Sequence, residues 1–90
     1  MFMKHIVVSI YDSKAGFYLK PMFFKSKGEA IRSFSDEVNS KESYLAKHCE
    51  DFVLFDLGTF DDVDCKFDLH DCSVSIGKAI EFLNRSVDVV

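Results

Sequence analysis

The sequence predicts an α+β domain of order ββαββα, with two helices covering one face of a four-stranded antiparallel sheet. Three observations predict it. β-branched and aromatic runs alternate with period two, and a capped pattern of helical period follows the second run. The motif S-x-G-x-A-I occurs at 26–31 and again at 75–80, an offset of 49 residues. At that offset Tyr11-Asp12 falls on Phe60-Asp61 and Tyr18 on Phe67, so the chain reads as two ββα halves. Duplication and the convergence of two capped helices both give such an echo.

The first strand is "HIVVSIYD" (5–12), with Ile6, Val8 and Ile10 on one face and Val7, Ser9 and Tyr11 on the other. "SKAG" supplies turn chemistry, and "FYLKPMFF" follows as the second strand. Pro21 has no amide hydrogen to give a ladder, so this strand lies at an edge or breaks there. Ser26-Lys27-Gly28-Glu29 has the form of a capping box. Ala30, Ile31, Phe34 and Val38 continue it at helical spacing for about three turns. Residues 39–51 are polar, with room for one helical turn at Tyr44-Leu45.

"DFVLFDLGTFDD" (51–62) is a long strand with Val53, Phe55 and Leu57 on one face and Gly58 as a candidate bulge. "CKFDLH" alternates, which points Cys65, Phe67 and Leu69 inward and Lys66, Asp68 and His70 outward. A second helix is expected after Ser75, carrying Ile76, Ala79, Ile80 and Leu83 on one stripe. The whole chain, 1–90, reads as a single domain with its core at about 4–84 and a frayed tail at 85–90.

With 48% hydrophobic residues and ten phenylalanines, the chain has enough apolar area for a core. It has more than a domain this small readily buries, which favours a homo-oligomer. The formal charge of −4 argues against indiscriminate binding of nucleic acid. That charge is unevenly spread. Residues 1–47 hold eight Lys/Arg against five Asp/Glu, and residues 48–90 hold three against ten. Such a split suits either a basic face or head-to-tail contact between copies. No hydrophobic run is long enough to span a membrane. Cys49, Cys65 and Cys72, odd in number and without a CxxC pair, read as reduced thiols of a cytoplasmic protein.

No motif suggests catalysis: the chain has neither a phosphate-cradling glycine loop nor a nucleophile elbow. We therefore expect a non-enzyme with no catalytic residues and no cofactor. Only His70 and Cys72 approach the close spacing of structural zinc ligands, and Cys65 sits on an apolar stripe, so no metal site is expected. Asp61, Asp62 and Asp64 lack the glycine and closing glutamate of a calcium loop and suit a hairpin turn that bonds its own backbone.

"GFYLKPMFFKSKG" (16–28) interleaves aromatics with lysines. With Phe17, Leu19 and Phe23 turned to the core, Tyr18, Lys20, Met22 and Phe24 face away from the helices, beside Val7 and Tyr11. The predicted contact set is Lys4, Tyr11, Tyr18, Lys20, Met22, Phe24, Lys25 and Lys27. Aromatics rimmed by lysines on an open sheet face can stack unpaired bases. The same face can bury itself against a second copy, a reading that the negative net charge favours.

"IYDSKAGFYLKPMFF", "GEAIRSFSDEVN", "EDFVLFDLGTFDD" and "GKAIEFL" resemble the small non-structural protein of gokushovirus-type Microviridae, phages with circular single-stranded DNA genomes. The resemblance runs from about Lys4 to Leu83, and the "YDSKA" turn and "LGTFDD" strand end are its most specific parts. The chain departs from the family pattern at His48-Cys49-Glu50-Asp51, where a proline commonly follows the histidine. The resemblance implies a non-structural protein of the host cytoplasm, acting in single-stranded DNA synthesis or its coupling to packaging. It implies no catalytic residue. The expected function is binding of single-stranded DNA. The alternative is a dimeric adaptor that docks on phage replication or capsid proteins, or on a host factor.

Overall fold

The computed structural model describes residues 4–83, and the tail expected to fray at 85–90 lies outside the described residues. Strands β1 (Lys4–Asp12), β2 (Phe17–Tyr18) and β3 (Met22–Phe24) come first. Helices α1 (Lys27–Val38) and α2 (Tyr44–Lys47) follow, then strands β4 (Phe52–Asp61) and β5 (Lys66–Lys78) and a 3-10 turn at Ala79–Phe82. All strand pairs are antiparallel, in the order β2-β1-β4-β5, with β3 also on β1. The expected mixed α/β class with an antiparallel sheet is therefore present, but its second half is built differently.

The central pair is β1 and β4. Val8 and Ile10 alternate out of β1, and Phe52 and Leu54 out of β4, toward the helices. There they meet Ala30, Phe34 and Val38 of α1, Leu45 of α2 and Ala79. Burying a side chain of this size stabilises by roughly 1.5–3 kcal/mol, so Phe52 and Leu54, both essentially inaccessible, anchor the core. On β4 the helix side is thus held by Phe52 and Leu54, while Val53 and Phe55 turn away.

Ser26 Oγ accepts from the Glu29 amide at 3.2 Å and starts α1. The Glu29 carboxylate reaches back one residue further than a capping box, to the Lys25 amide at 3.2 Å. Ser43 caps α2, accepting from Leu45 and Ala46. The amide of Asn39 at the end of α1 donates to the carbonyls of Ser35 and Phe82, which ties the helix to the 3-10 turn.

Among the described residues no second long helix follows Ser75. Residues 75–78 instead continue β5, with Ser75 opposite Phe55, Gly77 opposite Leu54 and Lys78 opposite Val53. Gly77 lowers helix propensity by about 1 kcal/mol, and the ladder supplies the backbone bonds that a helix would otherwise make. Only Ala79–Phe82 turns, as 3-10. The S-x-G-x-A-I echo consequently starts an α-helix at 26–31 but covers the end of a strand and the 3-10 turn at 75–80, so the two halves are not structural repeats.

The strand predicted over 17–24 is interrupted. Tyr11 pairs with Tyr18 and Val8 with Met22, so Leu19, Lys20 and Pro21 stand opposite only Ser9 and Ile10. The one extra residue swaps every side chain beyond it to the other face. Leu19 N–H donates to the Ile10 carbonyl at 2.7 Å, and Ser9 Oγ donates to the Leu19 carbonyl at 2.6 Å, which fixes the bulge in place. Leu57 is the extra residue of β4 against β1. Beside it Gly58 has φ +142°, and a Cβ there would lie 2.3 Å from the Asp68 carbonyl oxygen, so β4 and β5 approach at a spacing that only glycine permits.

Candidate nucleic-acid interface

The helices occupy one side of the sheet, and the other carries two aromatic groups. The first joins Tyr11, Tyr18 and Phe55: the tyrosine rings are 4.8 Å apart and Tyr18 is 5.8 Å from Phe55, edge-on. Register explains this. Tyr18 pairs with Tyr11, and Phe55 pairs with Ser9 one step along the same face. The second group joins Phe23, Phe60 and Phe67, with Phe23 5.5 Å from Phe60 and Phe60 4.9 Å from Phe67. His5 lies against Phe60 and holds Asp62 at 3.0 Å. His5, Phe23 and Phe60 line a shallow depression of about 160 Å³. Between the groups, Ser9 and Val7 form the floor, almost fully covered.

Tyr11 and Tyr18 stand on this open face as expected. Six other residues are placed differently from the expectation. Met22 and Phe24 pack against the helix-side core, because the extra residue at 19–21 reverses their direction. Phe23, expected in the core, is 45% exposed on the open face. Phe17 and Leu19, also expected inside, are 56% and 37% exposed, since they sit at a sheet edge that no helix covers. Lys4 pairs with Asp61 on the side of Ile6 and Val8, away from the aromatics.

Cys65 is exposed with φ 60° in the β4–β5 turn, and Phe67 and Leu69 are exposed on the open face rather than buried. Among the described residues no group of three or more His, Cys, Asp and Glu side chains is arranged to hold a metal ion. Asp61 accepts from the Val63 amide, which is turn chemistry.

Four other lysines map to one edge. Lys14 lies in the β1–β2 turn, Lys20 in the bulge, Lys25 directly after β3 and Lys27 at the start of α1. All four are exposed, and none forms a salt bridge among the described residues. Asp68 and Asp71 lie on β5 at the opposite edge, and Asp62 and Asp64 in the turn leading to it. The uneven charge of the two halves of the chain thus becomes a polarity across the sheet, basic at β2/β3 and net acidic at the far edge, where Asp62, Asp64, Asp68 and Asp71 outnumber Lys66 and Lys78. Tyr18 and Phe23, the open-face aromatics nearest the basic edge, are 47% and 45% exposed.

Sequence reasoning missed Phe55, Phe60 and Phe67 as members of the face. The available signal was pairing: each lies opposite an outward residue, of β1 for Phe55 and Phe60 and of β4 for Phe67.

Residues 5–82 match the family described as Phage ORF5 protein. The chain belongs to this phage ORF5 family. No curated protein and no solved structure matches it. The family match spans β1 through the 3-10 turn, so both aromatic groups and the lysine-bearing edge fall inside the ORF5 segment. No helix of the described residues is long and apolar enough to cross a membrane.

Proposed function

We propose that this phage ORF5 protein is a non-enzymatic binder of single-stranded DNA, acting in the host cytoplasm during genome replication or its coupling to packaging. One observation carries the reading: Tyr18 and Phe23 present half-exposed rings on the open face, along the edge that bears Lys14, Lys20, Lys25 and Lys27. Unpaired bases stack on the rings while phosphates follow the lysines. The interaction is confined to that edge, because the acidic β5 side repels a polyanion. Duplex DNA keeps its bases stacked inside and gains nothing from the rings, so single strands are preferred.

Titration of labelled single-stranded and duplex DNA of equal length at two salt concentrations tests the proposal. Four phosphate contacts correspond to a slope of log K against log salt of roughly −3 for single strands. Equal affinity for duplex, or no salt dependence, contradicts it. A protein-docking role is the second reading, favoured by Phe67 and Leu69, which are 53% and 56% exposed on the acidic side of the same face. A phage replication or capsid protein, or a host factor, is the partner class.

A further inference from the structure

β5 is the end of the sheet, and its outer edge carries no strand among the described residues. The edge is not uniform. Lys66, Phe67, Asp68 and Leu69 pair one-to-one with Asp61, Phe60, Thr59 and Gly58. Beyond them four residues, 70–73, face Leu57 alone, so the ladder is irregular there. Regular, extended backbone on the free edge is therefore offered at 66–69. In an antiparallel ladder every second residue turns its N–H and C=O away from its partner, so this stretch has unfilled bonding groups on the outside.

Its side chains are ordered symmetrically about Phe67. Lys66 and Asp68 point to the side of Lys4 and Thr59, while Phe67 and Leu69 point to the aromatic face. We propose that a second copy of this chain adds to this edge, β5 against β5, about a two-fold axis at Phe67. Lys66 of each copy then stands opposite the partner's Asp68, and Phe67 stands opposite the partner's Phe67. The aromatic row His5-Phe60-Phe67 continues across the axis into its own copy.

Charge selects this register. Centring the axis on Lys66 or on Asp68 instead places two lysines or two aspartates directly opposite each other, which is unfavourable. A slip of one residue turns the partner's aromatic face to the wrong side of the joint sheet. Pairing β5 with the β2/β3 edge of another copy is blocked by the bulge at Pro21, which leaves that edge two- and three-residue strands. The interface uses the edge opposite Lys20 and Lys25, so it is independent of the DNA-binding proposal.

The test is a pair of charge-reversed proteins. Lys66→Asp makes residues 66 and 68 both acidic, and Asp68→Lys makes both basic, so each variant alone opposes like charges twice. Sedimentation at micromolar concentration and low salt should give wild type a mass of twice 10.3 kDa. Each variant alone should dimerise about tenfold or more weakly than wild type. Their equimolar mixture, in which every 66–68 pair is opposite in sign, should recover the dimer. Asp68→Lys is the gentler change, because its neighbour within the chain is the neutral Thr59. Should either variant fail to fold, hydrogen exchange on wild type gives the same answer, with the 66–69 amides more protected at high than at low protein concentration. A monomeric wild type, a dimer indifferent to both reversals, or a mixture no more associated than its components overturns the proposal.

Discussion

Tyr18 and Phe23 share the open face of the sheet although five positions separate them, an odd spacing that an unbroken strand would send to opposite sides. Leu19, Lys20 and Pro21 occupy the space of two residues, and this extra residue brings both rings to the basic edge. It also turns Phe24 inward.

The consequence for stability runs against the plain alternation of the sequence. Phe24→Ala should cost about 2–3 kcal/mol, somewhat below a fully buried phenylalanine, since its ring packs on the edge of the core. Phe17→Ala, at a 56% exposed position, should stay within about 0.5 kcal/mol. Urea denaturation of the two variants checks the order.

Gly58→Ala should be among the most damaging single changes outside the core. Its Cβ would meet the Asp68 carbonyl oxygen and the Leu69 Cα at 2.3 and 2.7 Å, and the backbone is at φ +142°. Strain and strand displacement together should cost at least about 3 kcal/mol, a large share of the total for a small domain. Thermal unfolding would register it, and a melting temperature equal to that of wild type would show that β5 can move aside.

Ser26→Ala removes the side-chain acceptor for the Glu29 amide and should cost about 1 kcal/mol. Ser26→Asp should restore most of it, because a carboxylate accepts the same bond and favours the positive end of the helix. Equilibrium denaturation of the two variants separates the cap from a general effect of mutation.

The lysines divide by position. Lys20→Ala and Lys25→Ala should each lower the salt slope of DNA binding by about 0.7, the single-strand value per phosphate contact. Lys4→Ala should leave the slope unchanged, since Lys4 lies opposite Asp61 on the other side of the sheet. A similar loss from all three would indicate a diffuse charge effect.

Much of the fold was legible where local chemistry decides conformation. The alternation of β1 placed Val8 and Ile10 toward the helices, Ser26 and Glu29 marked the start of α1, and Pro21 marked a break in the edge strand. The direction of the chain after that break was not legible, because proline announces an interruption without stating how many residues it absorbs. Ser75–Lys78 was misread for a related reason. Ile76, Ala79 and Ile80 keep helical spacing, yet residues 75–78 gain a ladder with β4 that depends on contacts with residues 53–55, far away in the chain. The aromatic cluster of Phe23, Phe60 and Phe67 depends on three registers at once, none of them encoded by spacing alone.

The most direct test of the proposed site is the affinity of Phe23→Ala for single-stranded DNA, measured beside wild type and beside Phe17→Ala. Phe23 is the residue whose position on the open face follows from the bulge, and its loss removes a stacking ring without opening the core. Binding should weaken by roughly 1–3 kcal/mol with the fold intact, while Phe17→Ala binds nearly as wild type does. Undiminished affinity of a folded Phe23→Ala protein would contradict base stacking at this edge.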